Sequence, residues 1–175
     1  MSILSIVEKG NPVLDNPSDF VPVEEIMSSS VQKLINDMKD TLDGISDGVG
    51  LAAPQVNIPL QIFIVSKRVL NKNISAPVDD LVCINPKIIK FSKTKKWLDG
   101  EGCLSVRWYY GKVLRSTNVT LEYYDEKGQK QTRGAGGLLA HIFQHECDHL
   151  IGELFIDKAK DIEYIEPEEI NKNYI

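Results

Sequence analysis

The sequence predicts a chain that mixes helices and strands on three observations: apolar residues at helical spacing near the amino end, a long middle section of β-branched and aromatic runs, and a return to helical spacing after Gly137. Residues 1–22 carry Pro12, Pro17 and Pro22, which suits an irregular arm laid over the body. From about Ser28, the residues Val31, Leu34, Ile35, Met38 and Leu42 recur on one helical face. Serines are available there as N-caps and Gly44 as a stop, so an amphipathic helix is expected. GVGLAAPQ, residues 48–55, is made of glycines, small residues and a proline and fits a tight turn or closely packed backbone better than a periodic element. LQIFIVS (60–66) reads as a buried strand, 67–80 as polar loop, and VCINPKIIKF (82–91) and KWLDGEGCLSV (96–106) as strands. VTLEYYD (119–125) and QKQTRGA (129–135) flank Glu126, Lys127 and Gly128, a hairpin signal. GLLAHIFQHECDHLIG (137–152) then reads as a second helix that ends at Gly152. With no repeat or linker along the way, one domain over 1–175 is expected.

Composition narrows the function classes. With 42% hydrophobic and 26% charged residues the chain matches an ordinary globular protein, which excludes disordered, collagenous and disulfide-dense classes. Apolar runs such as LQIFIV fall short of the roughly 20 residues that a membrane span needs. The amino terminus has neither the basic stretch nor the apolar stretch of a secretory signal, so the cytoplasm is expected. Three cysteines, Cys83, Cys103 and Cys147, are too few and odd in number for a disulfide framework, which leaves free thiols or metal ligation. A formal charge of −5 repels duplex nucleic acid on average. The one basic cluster, Lys87, Lys90, Lys93, Lys95 and Lys96, reads as a solvated sheet edge.

The chemistry concentrates in HECDH. At about 100° per residue, the imidazoles of His145 and His149 lie about 40° apart on one helical face, one turn from each other, and both can reach one metal ion. Glu146 beside them is placed to act as a base for hydrolytic attack. Chance pairing is disfavoured, because the chain has only three histidines and two of them meet this spacing. His141 precedes His149 by about 12 Å of helix rise, whereas ligand bonds are about 2 Å. It is expected to support a ligand, line the pocket or face solvent. A metzincin would place a third histidine six residues after His149, where this chain has Phe155. Cys147 points about 200° from His145 and is expected to face the core, and Cys83 lies in a strand where buried free thiols are usual. Cys103 is the remaining candidate, in EGCLSV, where Gly100 and Gly102 keep the backbone open and Glu101 adds a carboxylate. One Cys and two His leave a tetrahedral position open for water, the pattern of a catalytic site. Gln55 offers a side-chain amide and Leu104 a backbone N–H to an oxyanion, provided that GVGLAAPQ reaches the metal.

These segments, GVGLAAPQ (48–55), EGCLSV (101–106) and QHECDHLIG (144–152), resemble the three signature motifs of peptide deformylase, in the family's order and at family-like spacing. PVLDNP in the arm and ELFID after the last motif extend the resemblance over nearly the whole chain. The resemblance implies an α+β fold with antiparallel sheets packed around a central helix carrying HExxH, and a second amphipathic helix near the amino terminus. It implies that Cys103, His145 and His149 bind one divalent ion, commonly Fe2+, with Zn2+, Ni2+ or Co2+ able to substitute. By composition alone, two imidazoles and a thiolate suit zinc at least as well.

The implied reaction is attack of metal-bound water on the formyl carbon of an N-formylmethionyl peptide, releasing formate, with Glu146 as general acid and base. Gln55 and the Leu104 amide would hold the formyl oxygen, Gly50 would pair its backbone with the substrate, and Val49, Leu138 and Ile142 would line the methionine slot. The implied partners are nascent peptides met in transient proximity to the ribosome. The tail from Asp157 is acidic and a poor match for ribosomal RNA, so free encounter or a protein contact is expected instead, and the −5 charge and short apolar runs leave no specific nucleic acid and no membrane expected. The chain departs from the common family pattern at Arg107, Trp108, Tyr109 and Tyr110, and Arg115 is open to either a structural ion pair or a substrate contact. Two rivals, a zinc endopeptidase and a metal- or peptide-binding module, are disfavoured by the missing third histidine and by the presence of Glu146 and Gln55.

Overall fold

In the computed structural model, which describes residues 2–70 and 78–168, Ser28 Oγ accepts a hydrogen bond from the Val31 N–H (3.3 Å). Helix α1 follows over Ser29–Asp43, with Gly44 as its C-cap. Its apolar stripe, Val31, Ile35, Met38 and Leu42, is buried in a cluster with Leu51, Val56, Ile62, Ile64 and Ile84. Removing such side chains from water contributes about 1.5–3 kcal/mol each. The stripe therefore fixes how the helix lies on the strands that follow.

Those strands are β1 (Gly50–Ala52) and β2 (Ile62–Val65), then the one-turn helix α2 (Lys67–Leu70), and next β3 (Leu81–Phe91), β4 (Lys95–Cys103), β5 (Val106–Ser116), β6 (Asn118–Tyr124) and β7 (Lys130–Gly136). Helix α3 spans Gly137–Leu150, and β8 spans Lys160–Tyr164. All the ladders are antiparallel and form two sheets, one in the order β1-β2-β3-β6-β7 and one in the order β4-β5-β8. The fold is mixed α+β, as expected. The β6–β7 hairpin turns where the glycine signal put it. Gly128 has φ 72°, and Asp125 Oδ1 accepts the N–H groups of Lys127 and Gln129, each at 2.9 Å.

Helix α3 touches β1, β2, β3, β6 and β7 of the larger sheet and β5 of the smaller one. Ile142, Phe143 and Leu150 bury against Phe63, Val65, Cys83 and Leu121, and the Phe63 and Phe143 rings meet at 6.0 Å. The amino-terminal arm crosses this assembly. Val7 N–H donates to the Gln55 carbonyl and Lys9 N–H to the Ser105 carbonyl, each at 2.8 Å, and Ser18 N–H donates to the Leu150 carbonyl at 2.9 Å. Gly152 has φ 78°, and a Cβ there would lie 2.8 Å from the Asp15 backbone, so only glycine fits where the arm meets the end of α3.

Three expectations need correction. GVGLAAPQ is the closely packed backbone expected, but it holds regular elements too: Gly50–Ala52 is a fully buried strand paired with β2, and Ala53–Val56 is a 3-10 turn. A strand of three residues is too short to show a period. Residues 67–70 are helical rather than loop, while 71–77 of that expected loop lie outside the described residues. The strand expected over 96–106 breaks after Cys103, where the chain reverses and Val106 pairs back with Cys103 to begin β5. In the acidic tail, Lys160–Tyr164 pairs with β5 as β8, and residues 169–175 lie outside the described residues. The lysine-edge expectation fits the pairing, because β3 beyond Asn85 is paired with β6 alone and β4 is a sheet edge. Among the described residues, no helix is long and apolar enough to cross a membrane.

Candidate active site

Cys103 stands at the end of β4, His145 and His149 on α3, and their ligand atoms all lie within 4.8 Å of one another. Cys103 Sγ is 3.3 Å from His149 Nε2, close to the ~3.5 Å that a tetrahedral ion with bonds of about 2.0–2.3 Å imposes between its ligands. The donor set fits a divalent metal. His145 is already oriented for it, because Nδ1 lies 2.7 Å from Glu101 Oε1, which leaves Nε2 for a ligand bond. Phe155, at the metzincin position, stacks on the His145 ring at 6.2 Å instead of offering a ligand.

The three cysteines separate clearly. Burial pushes the thiols of Cys83 and Cys147 well up. Burial acts in the same direction on Cys103, but the charge of His149 and hydrogen bonds from His145 and His149 outweigh it and lower its pKa to about 5. Cys103 is therefore the one cysteine held as a thiolate, the form that binds metal.

Behind the cluster lies a buried hub that the spacing did not reveal. Glu101 receives Arg115 in a two-pronged pair, Nε to Oε2 at 3.1 Å and Nη2 to Oε1 at 2.5 Å. It also meets His141 Nε2 at 2.5 Å and His145 Nδ1 at 2.7 Å. Burial alone would raise the Glu101 pKa, but the hydrogen bonds from His141, His145 and Arg115 hold it well below the usual carboxylate range. Arg115 Nη1 donates to Asp148 Oδ2 at 2.5 Å, so the open choice for Arg115 resolves as an ion pair. His141 meets the same Glu101 carboxylate that His145 does. Glu101 lies on β4, Arg115 on β5 and the two histidines on α3, so no local motif could announce the hub.

Glu146 is 3% exposed, and its Oε2 and His149 Nδ1 are buried with no hydrogen-bond partner among the described residues. Burial raises the Glu146 pKa to about 7, against the lowering effect of His145 and His149. Gln55 comes from the 3-10 turn. Its Oε1 accepts from Ala52 N–H at 2.9 Å, and its Nε2 lies 3.4 Å from Cys103 Sγ and 3.2 Å from Ser105 Oγ. The first motif thus does reach the metal cluster. Ser105, absent from the sequence reading, fixes the amide from the other side.

The cluster opens into a groove of about 600 Å³ lined by Val49, Gly50, Gln55, Cys103, Leu104, Leu138, Ile142, His145 and Glu146. His149 lies beneath it, 1% exposed. Gly50 has a second use here, because a Cβ would sit 2.9 Å from Glu146 Cδ. Gly50→Ala is expected to displace the Glu146 carboxylate and to cut turnover by at least about tenfold, on the scale of a 1 Å misplacement, with little change in melting temperature. A steady-state assay beside a thermal melt checks this, and unchanged turnover would refute it.

Comparison with known proteins completes the picture. The family model described as polypeptide deformylase matches residues 3–164. The chain is 42% identical over 165 residues to "Peptide deformylase 1A, chloroplastic" of Solanum lycopersicum, covering 87% of this chain and 58% of that protein. The chain therefore spans just over half the length of this plant relative. It is 44% identical over 160 residues to "Peptide deformylase" of Desulfitobacterium hafniense, covering 91% of this chain and 97% of that one. Among solved structures, the Met-Ala-Ser-bound class I type b peptide deformylase from Acinetobacter baumannii superposes with a TM-score of 0.80 at 32% identity, covering 90% of this chain and 99% of that one.

Proposed function

Because the chain belongs to the polypeptide deformylase family, we propose that it removes the formyl group from N-formylmethionyl ends of newly made polypeptides, releasing formate. In this reading residues 1–175 act as one catalytic domain, with α3 and its HExxH as the central helix. The observation that carries it is a buried carboxylate, Glu146, with an unpartnered oxygen beside the Cys103, His145 and His149 cluster at the groove. Those three residues would hold one divalent ion, Fe2+ by family resemblance, with Zn2+, Ni2+ or Co2+ as substitutes. When bound, the ion supplies the Lewis acidity that makes a neighbouring water nucleophilic near neutral pH and polarises a carbonyl.

The chain's own residues supply the rest. Glu146 takes the proton from the attacking water as its oxygen bonds to the formyl carbon, then delivers a proton to the departing amine nitrogen as the carbon–nitrogen bond breaks. Negative charge gathers on the formyl oxygen, and Gln55 Nε2 and the Leu104 backbone N–H are the donors that meet it. Gly50 pairs its backbone with the peptide, while Val49, Leu138 and Ile142 receive the methionine side chain. The peptide-bound Acinetobacter baumannii relative supports a peptide beginning with methionine in this groove. Nascent chains near the ribosome are the expected source of substrate, reached by free encounter.

The test is formate release from a formyl-methionyl tripeptide by protein loaded anaerobically with iron or nickel. Release is expected. Metal bound at one ion per chain without any release would overturn the reading and favour a binding role.

A further inference from the structure

Three residues of β5 have no partner in β4. The ladder pairs Gly102 with Tyr110 and then Cys103 with Val106, so Arg107, Trp108 and Tyr109 bulge out between the two pairs. Bulges of this kind re-aim side chains and gather beside active sites. This one borders the groove and holds Trp108 at φ 70°, a left-handed conformation that bulky residues rarely adopt. It is fastened to β8, where Tyr109 pairs with Tyr164. Ile165 N–H donates to the Trp108 carbonyl at 2.9 Å, and the Arg107 guanidinium lies over the Trp108 ring, 5.1 Å from its centroid.

The bulge aims Arg107 at Asp47, which also lines the groove. Arg107 Nη1 donates to Asp47 Oδ2 at 2.7 Å, the one hydrogen bond its side chain makes among the described residues. The loop that carries Asp47 is held by Arg68, whose guanidinium donates to the carbonyls of Leu42 (2.9 Å), Ile45 (2.8 Å), Ser46 (3.0 Å) and Gly48 (3.1 Å). No carboxylate lies within ion-pair distance of Arg68 among the described residues. Asp99, also on the groove, shares Lys112 (3.4 Å) with Asp161 (3.2 Å), and Glu101 is enclosed by its own partners. Arg107 therefore borders the groove with N–H groups that Asp47 does not take.

We propose that Arg107 is a specificity-determining residue that reads an acidic side chain on one of the two residues following formyl-methionine. The proposal rests on the deformylase reading above and deepens it. An incoming carboxylate takes the N–H groups that Asp47 leaves unused, and the peptide, laid along the groove past Gly50, brings its next side chains to the bulge. A lysine in the same place meets the like charge of Arg107 and is disfavoured.

The experiment compares formyl-Met-Xaa-Ala and formyl-Met-Ala-Xaa peptides, with Xaa as Glu, Gln or Lys, on wild type, Arg107→Gln and Asp47→Asn, each in its metal-loaded form. Wild type is expected to favour Glu over Lys at one of the two positions by about 3–10-fold in kcat/KM, mainly through KM, with the ratio shrinking in 0.5 M salt as a partly exposed charge contact must. Arg107→Gln is expected to bring the ratio close to one, and Asp47→Asn to raise it. A flat wild-type profile, or a preference that survives in Arg107→Gln, overturns the proposal. Absence of formate from every peptide would instead overturn the deformylase reading on which it stands.

Discussion

Glu146→Ala is expected to lower formate release by about 10²–10⁴-fold, the span for losing a general acid and base, while leaving the metal bound. The side chain is enclosed by α3 and by Gly50 of β1, with one oxygen that no described residue satisfies. Removing it discards a buried carboxylate that costs stability to hold, so the fold is expected to survive. The metal stays because Cys103, His145 and His149 do not depend on Glu146 for their orientation. His145 is set by Glu101, and Cys103 lies within hydrogen-bond distance of Gln55 and the Ser105 N–H. Elemental analysis beside single-turnover kinetics measures both halves. Activity within about tenfold of wild type would remove Glu146 from proton transfer. Loss of the metal with the side chain would mean that it ligates. Glu146→Gln separates the proton from the packing, because it keeps the shape and should be as slow as alanine.

The second large effect is structural and lies one layer further in. Glu101→Ala leaves Arg115, with a side chain 5% exposed, facing only Asp148, and breaking a buried ion pair by removing one partner costs about 3–5 kcal/mol. For a chain of this length each kcal/mol lowers the melting temperature by about 2–4 °C, so a fall of roughly 6–20 °C is expected. His145 loses the acceptor at Nδ1 at the same time, and metal affinity should fall by about 10–100-fold, as it does when the support of a ligating histidine is removed. A melt and a competition titration against a chelator read the two effects separately. A shift of less than about 2 °C would show that the Arg115 charge is not enclosed as described. Glu101→Gln, which keeps an acceptor oxygen for one partner, should recover part of the metal affinity but little of the ion pair.

What the sequence disclosed follows from how far each signal reaches along the chain. Helices α1 and α3 were legible because their apolar residues repeat every three or four positions, and the β6–β7 hairpin because a glycine marks the turn. β1 and α2 are only three and four residues long, too short for any period. β5 was hidden because its aromatic start is a bulge, where alternation fails. In the candidate site, His145, Glu146 and His149 share one helix face and could be read directly, and Cys103 followed by elimination. Glu101, the group that orients His145, was visible only as a neighbouring carboxylate. Its partners Arg115, His141 and His145 sit on β5 and α3, and only the three-dimensional packing brings them to one point. Ser105 was missed for the same reason, since its contact with Gln55 joins two motifs and belongs to neither.

The stitching of the arm to Gln55 and Ser105 bears on when a new copy of this chain becomes competent. The parts of the centre are drawn from residues 7–9, 55, 103–105 and 145–149, and contacts across such separations form late, because the chain must lose its loop entropy before they stabilise it. Synthesis runs from the amino end, so helix α1 and the hairpins can form while α3 is still unmade. The ligand atoms meet only after His149 has emerged. A chain cut short anywhere before that residue is not a weakened version of the protein but one without a centre.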